Sequence, residues 1–212
     1  MEFELISKGE TDLRFQLVAT EETRLKYPFD FALEVSYRLE ENCLTVEYGV
    51  HNRNDTILPF SLGAHPGFAL SWGEANVIED YYLEFDGDYE LQSNILNDDT
   101  LLTSEIETVL DRSKRVPITQ TLFGRNSLNI LKHQCRKVSL CSKTVDKRLS
   151  VEISDFPQLG LWSKPGAAYI CIEPWFGHAD FETKGGDIME KAGIVKLGAR
   201  ESFSCSYSIT ID

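Results

Sequence analysis

FALEVSYRLEENCLTVEYGV, residues 31–50, reads as two strands and the turn between them. Phe31, Leu33, Val35, Tyr37 and Leu39 alternate with polar or small residues, so they share one face of an extended chain. Leu44, Val46, Tyr48 and Val50 repeat the pattern, and the polar EENC between the two runs reads as a hairpin turn.

The same period of two recurs along the chain. Leu13, Phe15, Leu17 and Ala19 share a face, as do Leu149, Val151 and Ile153, and Phe203, Cys205, Tyr207, Ile209 and Ile211. AYICI at 168–172 is nearly continuous and apolar, which predicts a central strand covered on both faces. Weaker strands are predicted at 81–85, 128–132, 137–141 and 194–197. Helix signals are few: PITQTLF at 117–123 reads as one short helix with Pro117 in its first turn. The polar segment Asn97–Ile106 reads as a long loop or a brief helical turn. Strands following strands predict an all-β chain of two packed antiparallel sheets, a β-sandwich forming one domain over residues 1–212.

With 34 acidic and 21 basic residues among 212, the formal net charge is −13, which argues against a nucleic-acid partner. No apolar run approaches the ~20 residues of a membrane helix, so no membrane partner is expected. The acidic start MEFELISKGE has neither the basic region nor the apolar stretch of a signal peptide. Five cysteines without CxxC spacing read as small buried hydrophobes of a reducing compartment. A cytoplasmic protein is expected.

Two residues stand out as carriers of chemistry. His65 lies in FSLGAHPGF (60–68), where Pro66 restricts the backbone before it and Gly63 and Gly67 permit close approach. Phe60 and Phe68 are expected to supply apolar walls. The plain alternative is a histidine that satisfies a buried backbone group. Glu173 lies in AYICIEPWFGHAD (168–180), directly after an apolar strand, where partial desolvation raises a carboxyl pKa towards general-base work. Pro174 is expected to stop the strand pairing, and Trp175 offers an aromatic plane suited to a sugar face. The plain alternative for Glu173 is a strand-end carboxylate paired with a lysine.

One imidazole and one carboxylate without a nucleophile suit proton transfer. There is no GxSxG, HExxH, P-loop or GxGxxG pattern. His65, Glu173, His178 and Asp180 assemble into a metal site only on paper, since no HxH or HxxxH spacing supports it, and no metal is expected. His51 and His133 read as solvated imidazoles, Trp72 and Trp162 as packing residues.

Four stretches resemble a known family. EETRLKYPFDFALEVSYRL (21–39), LPFSLGAHPGF (58–68), FPQLGLWSKPGAAYICIEPWFGHAD (156–180) and EKAGIVKLGARESFSCSYSITI (190–211) are similar, in order, to segments of the aldose 1-epimerase (galactose mutarotase) superfamily. The likeness is greatest to its lactose-operon-type, mutarotase-related branch. The resemblance implies a large antiparallel β-sandwich and cofactor-free interconversion of the α and β anomers of a small-molecule sugar, a hexose or hexose derivative. Glu173 would take the proton of the C1 hydroxyl, and His65 would protonate the ring oxygen. Asn126, in LFGRNSL (122–128), stands where relatives often carry an aspartate and is expected to contact substrate with Trp175 and Phe68.

Relatives in this family also have a longer N-terminal part supplying another histidine and an arginine, so the domain is expected to be N-terminally short. The chain is therefore expected either to be truncated relative to its relatives or to cover the bared sheet edge by self-association into a homo-oligomer. Two other functions compete with anomer exchange: a non-catalytic carbohydrate-binding or regulatory module with the same fold, and a metal-dependent β-sandwich enzyme.

Overall fold

A computed structural model describes residues 1–73, 77–124, 126–183 and 185–212. Arg125, within LFGRNSL (122–128), lies outside them. Sixteen strands occur in the described residues: β1 Glu4–Lys8, β2 Asp12–Val18, β3 Phe31–Glu40, β4 Cys43–Asn52, β5 Leu58–Phe60, β6 Leu62–Gly63, β7 Gly67–Ala69 and β8 Tyr81–Leu96. They continue as β9 Leu102–Pro117, β10 Leu128–Ile130, β11 Lys137–Ser142, β12 Arg148–Glu152, β13 Gln158–Trp162, β14 Tyr169–Phe176, β15 Val195–Leu197 and β16 Ser202–Ile211.

Strand makes up 55% of the chain and helix 5%. Fourteen strands form one antiparallel sheet in the order β1-β2-β3-β4-β16-β12-β11-β8-β10-β13-β14-β6, with β7 beside β14 and β9 beside β8. The hairpin read at 31–50 pairs β3 with β4 from Phe31↔Asn52 to Glu40↔Cys43, and Glu41 takes a positive φ of 52° in its turn.

A sheet this long cannot remain flat and open, because one face is apolar. It turns back so that β16 and β14, well separated along the hydrogen-bonded order, pack face to face. Phe156, buried just before β13, meets the ring of Phe176 at 5.1 Å and that of Tyr207 at 6.5 Å, tying the two layers together. The core around them includes Val35, Val46, Phe85, Val138, Val151, Leu159, Leu161, Ile170 and Ile172. A smaller apolar cluster joins Val50, Leu58, Phe60 and Leu197.

Two local expectations need correction. Residues 117–123 are not helical: Pro117 ends β9, paired with Tyr82, and turns follow. The segment 97–106 is the tip and start of a hairpin, because β8 and β9 form two sixteen-residue arms. A single helical turn at Glu21–Arg24 was not predicted. Its cap is reciprocal: the Thr23 backbone N–H donates to Thr20 Oγ1, and the Thr20 N–H donates to Thr23 Oγ1. Among the described residues no helix is long and apolar enough to cross a membrane.

Candidate active site

Strand β14 sets the site. Its alternation puts Cys171, Glu173 and Trp175 on one face and Ile170 and Ile172 on the face towards the core. On β13, Trp162, Gly160 and Gln158 stand opposite Cys171, Glu173 and Trp175. Pro174 does not stop the strand. Its carbonyl accepts the Ala64 N–H at 3.0 Å, so its nitrogen faces the side where β6 and β7 leave a gap and no ladder donor is missing.

That gap is where His65 enters. Ala64 N–H bonds Pro174 O, and Ile172 N–H donates to Pro66 O at 3.3 Å, so the main chain on either side of His65 is fastened across Glu173. Nε2 of His65 then lies 3.4 Å from Oε1 of Glu173. The two environments differ sharply: the His65 side chain is 61% exposed and that of Glu173 6%. Burial pushes the Glu173 pKa above the ordinary carboxyl range, while the His65 charge and a hydrogen bond from the Trp175 indole pull it back only in part.

Glu84 on β8 is the instructive contrast. Burial acts on it too, but Arg115 at 2.6 Å and Arg148 at 2.9 Å overcome that effect and hold its pKa below the ordinary range. Two guanidiniums lock Glu84 as a structural anion. Glu173 has one imidazole and one indole, an arrangement that leaves its proton exchangeable.

The glycines of the motif have a defined purpose. The Trp175 indole lies flat across the sheet between Gly63 and Gly160. A Cβ at Gly63 would sit 2.5 Å from Trp175 Cδ1, and one at Gly160 2.2 Å from Cζ2. Gly160→Ala is therefore expected to tilt the indole off the sheet and cost roughly 1–3 kcal/mol as overpacking. Tryptophan fluorescence and a denaturant melt check this; an unshifted spectrum with unchanged stability would refute the placement.

Phe68 and Phe60 do not wall the site. Phe68 pairs with Ile170 and packs in the main core, on the opposite side of the sheet from Glu173, and Phe60 belongs to the smaller cluster. Asn126 is exposed on the turn before β10 with φ 81°; its Oδ1 accepts the Ser127 N–H, and no contact ties it to His65 or Glu173. His178 uses Nδ1 on the Ala179 carbonyl, and Asp180 pairs with Lys191.

Two neighbours were missed. Trp162 meets the His65 ring edge-on at 5.9 Å. Cys171 is buried beside Glu173, and burial together with the Glu173 charge pushes its thiol up to about 11. Gly160, isolated in an apolar strand, was the available signal that a side chain crosses there.

Residues 1–190 match the aldose 1-epimerase family. The chain is 30% identical to the plasmid-encoded protein LacX of Lactococcus lactis subsp. lactis, over 99% of this chain and 72% of that protein. Among solved structures, it is similar to a galactose mutarotase related enzyme from Lactobacillus acidophilus, with TM-score 0.93 and 29% identity over 100% of this chain and 71% of that one. A galactose mutarotase-like protein from Lactobacillus casei gives TM-score 0.91 and 26% identity over 100% and 73%. The β-sandwich, the order of its segments and these matches together show that the chain belongs to the aldose 1-epimerase family, in its LacX-type branch.

Proposed function

We propose that this protein interconverts the α and β anomers of a hexose or hexose derivative, as one domain and without a cofactor. The observation that carries the reading is the 3.4 Å approach of an exposed imidazole to a buried carboxylate of raised pKa. Anomer exchange moves only protons. The C1 hydroxyl and the ring oxygen hang on the same carbon, so a base and an acid that serve them must themselves be neighbours. Glu173 takes the hydroxyl proton, His65 delivers one to the ring oxygen, the ring opens, and closure on the other face gives the second anomer. Trp175 supplies a flat apolar surface for the sugar ring, and Asn126 a hydroxyl contact from the rim. On this reading the protein is a cytoplasmic isomerase of carbohydrate metabolism.

The pH dependence tests it. The base must be ionised, so the rate falls as pH drops through the Glu173 pKa. Burial places that limb above the ~4.3 of an ordinary glutamate. His65→Asn removes the neighbouring charge that lowers this pKa, so the limb moves higher still as the rate drops. The measurement is the pH profile of anomer exchange followed by exchange NMR. A limb at or below the ordinary carboxyl value in the wild type would contradict the assignment.

The openness of the face around His65 favours a second reading, a non-catalytic carbohydrate-binding module. The same assay separates the two: exchange no faster than buffer, with sugar still shifting the aromatic resonances, would select binding alone.

A further inference from the structure

We propose that His65, Cys171 and Glu173 form a binding site for zinc(II), and that the bound metal shuts off the acid–base pair. Nε2 of His65, Sγ of Cys171 and a carboxylate oxygen of Glu173 lie within 4.8 Å of one another, and Nε2 and Oε1 of the pair are 3.4 Å apart. A tetrahedral zinc with nitrogen, oxygen and sulfur at about 2.0–2.3 Å holds its ligands about 3.3–3.6 Å apart. The imidazole and carboxylate already stand at that spacing, and the sulfur has at most about 1.3 Å to close.

The donors are placed by backbone. Cys171 and Glu173 are two apart on one face of β14, and His65 is fixed by the main-chain bonds of Ala64 and Pro66. Cys171 is buried, but Gly67 opposite it puts no side chain against the thiol, and even an added Cβ there would only touch Sγ, at 3.5 Å. The exposed side of His65 leaves the fourth position to water. A nitrogen, sulfur and oxygen set selects a borderline-soft cation over magnesium or calcium, which take oxygen ligands. On binding, the thiol proton passes to solvent and a zinc–thiolate bond forms. Among the described residues this is the one group of three such donors; Cys135 and His133, 3.1 Å apart, are a pair with no third.

The binding half of the proposal stands on geometry alone, while the inhibitory half rests on the anomerase reading. Cobalt(II) separates them. Titrated into the wild type, it is expected to give the visible d–d bands of a tetrahedral site and a thiolate-to-cobalt charge-transfer band in the near ultraviolet. Zinc(II) should bleach both. Cys171→Ser should lack the charge-transfer band and bind cobalt at least about tenfold more weakly. His65→Asn, at an exposed position that tests the same site without disturbing the core, should weaken binding comparably. Cys135→Ser should leave the spectrum unchanged.

No thiolate band in the wild type, or one that survives Cys171→Ser, overturns the site. Where the wild type exchanges anomers, zinc should abolish that activity and a chelator restore it. Bands without inhibition overturn the regulatory half, and bands on a protein with no anomerase activity overturn the functional reading while leaving the site standing.

Discussion

Glu173→Gln is expected to slow anomer exchange roughly 10²–10⁴-fold, the usual contribution of a general base. Glutamine keeps the size and planarity of the side chain, and its amide still meets the Trp175 indole and the His65 ring, so the loss isolates the proton-accepting step. The same substitution should not destabilise the fold at neutral pH. Burial raises the Glu173 pKa in the folded state, so folding favours its protonated form. The stability this group contributes is present below its unfolded pKa and is lost as pH rises through its folded one. At neutral pH the ionised carboxylate is a cost that glutamine removes. Polarimetry on freshly dissolved α-D-glucose and α-D-galactose reads the first effect, and urea unfolding the second. Equal rates in the two proteins would take Glu173 out of the mechanism; a variant that unfolds earlier would mean the carboxylate is held by partners stronger than His65 and Trp175.

Phe156→Ala is expected to cost about 3–5 kcal/mol, the range for deleting a fully buried aromatic ring. Phe156 spans the two layers, with Phe176 on one side and Tyr207 on the other, so its loss opens a void where no strand pairing can compensate. Phe156→Leu refills part of the space and should cost much less. Urea midpoints measure both. Because Phe176 ends the strand that carries Glu173, the alanine variant should also lose activity below its unfolding transition. A loss under 1 kcal/mol would show that the layers close without this ring.

Much of this arrangement was legible before folding. The alternating runs marked β3, β4, β12 and β16 because each shows one face to the core. His65 and Glu173 stood out because proline and glycine interrupt apolar runs beside them. What the residues could not show was parity and register. Phe68 lies in a strand of three residues, too short for alternation to say which face it presents, and pairing with Ile170 turned it inward. Cys171 alternates like any buried thiol, and only its place two residues before Glu173 on a shared face makes it a neighbour of His65. Strand β9 was missed because DRSKR sits on an exposed arm, where no burial selects apolar residues and the period vanishes. The turn at 117–123 offered a proline in a helix-starting position, and the pairing of Pro117 with Tyr82 decided otherwise.

The fastening of the histidine segment has an evolutionary consequence. Its position depends on backbone N–H and C=O groups, which every residue but proline supplies in full, so most surrounding side chains are free to drift. A lineage built on this frame can retune which sugar it accepts by exchanging rim residues, while the spacing of imidazole and carboxylate stays as the strand geometry dictates. Innovation in specificity and constancy of chemistry are thus assigned to different parts of the polymer.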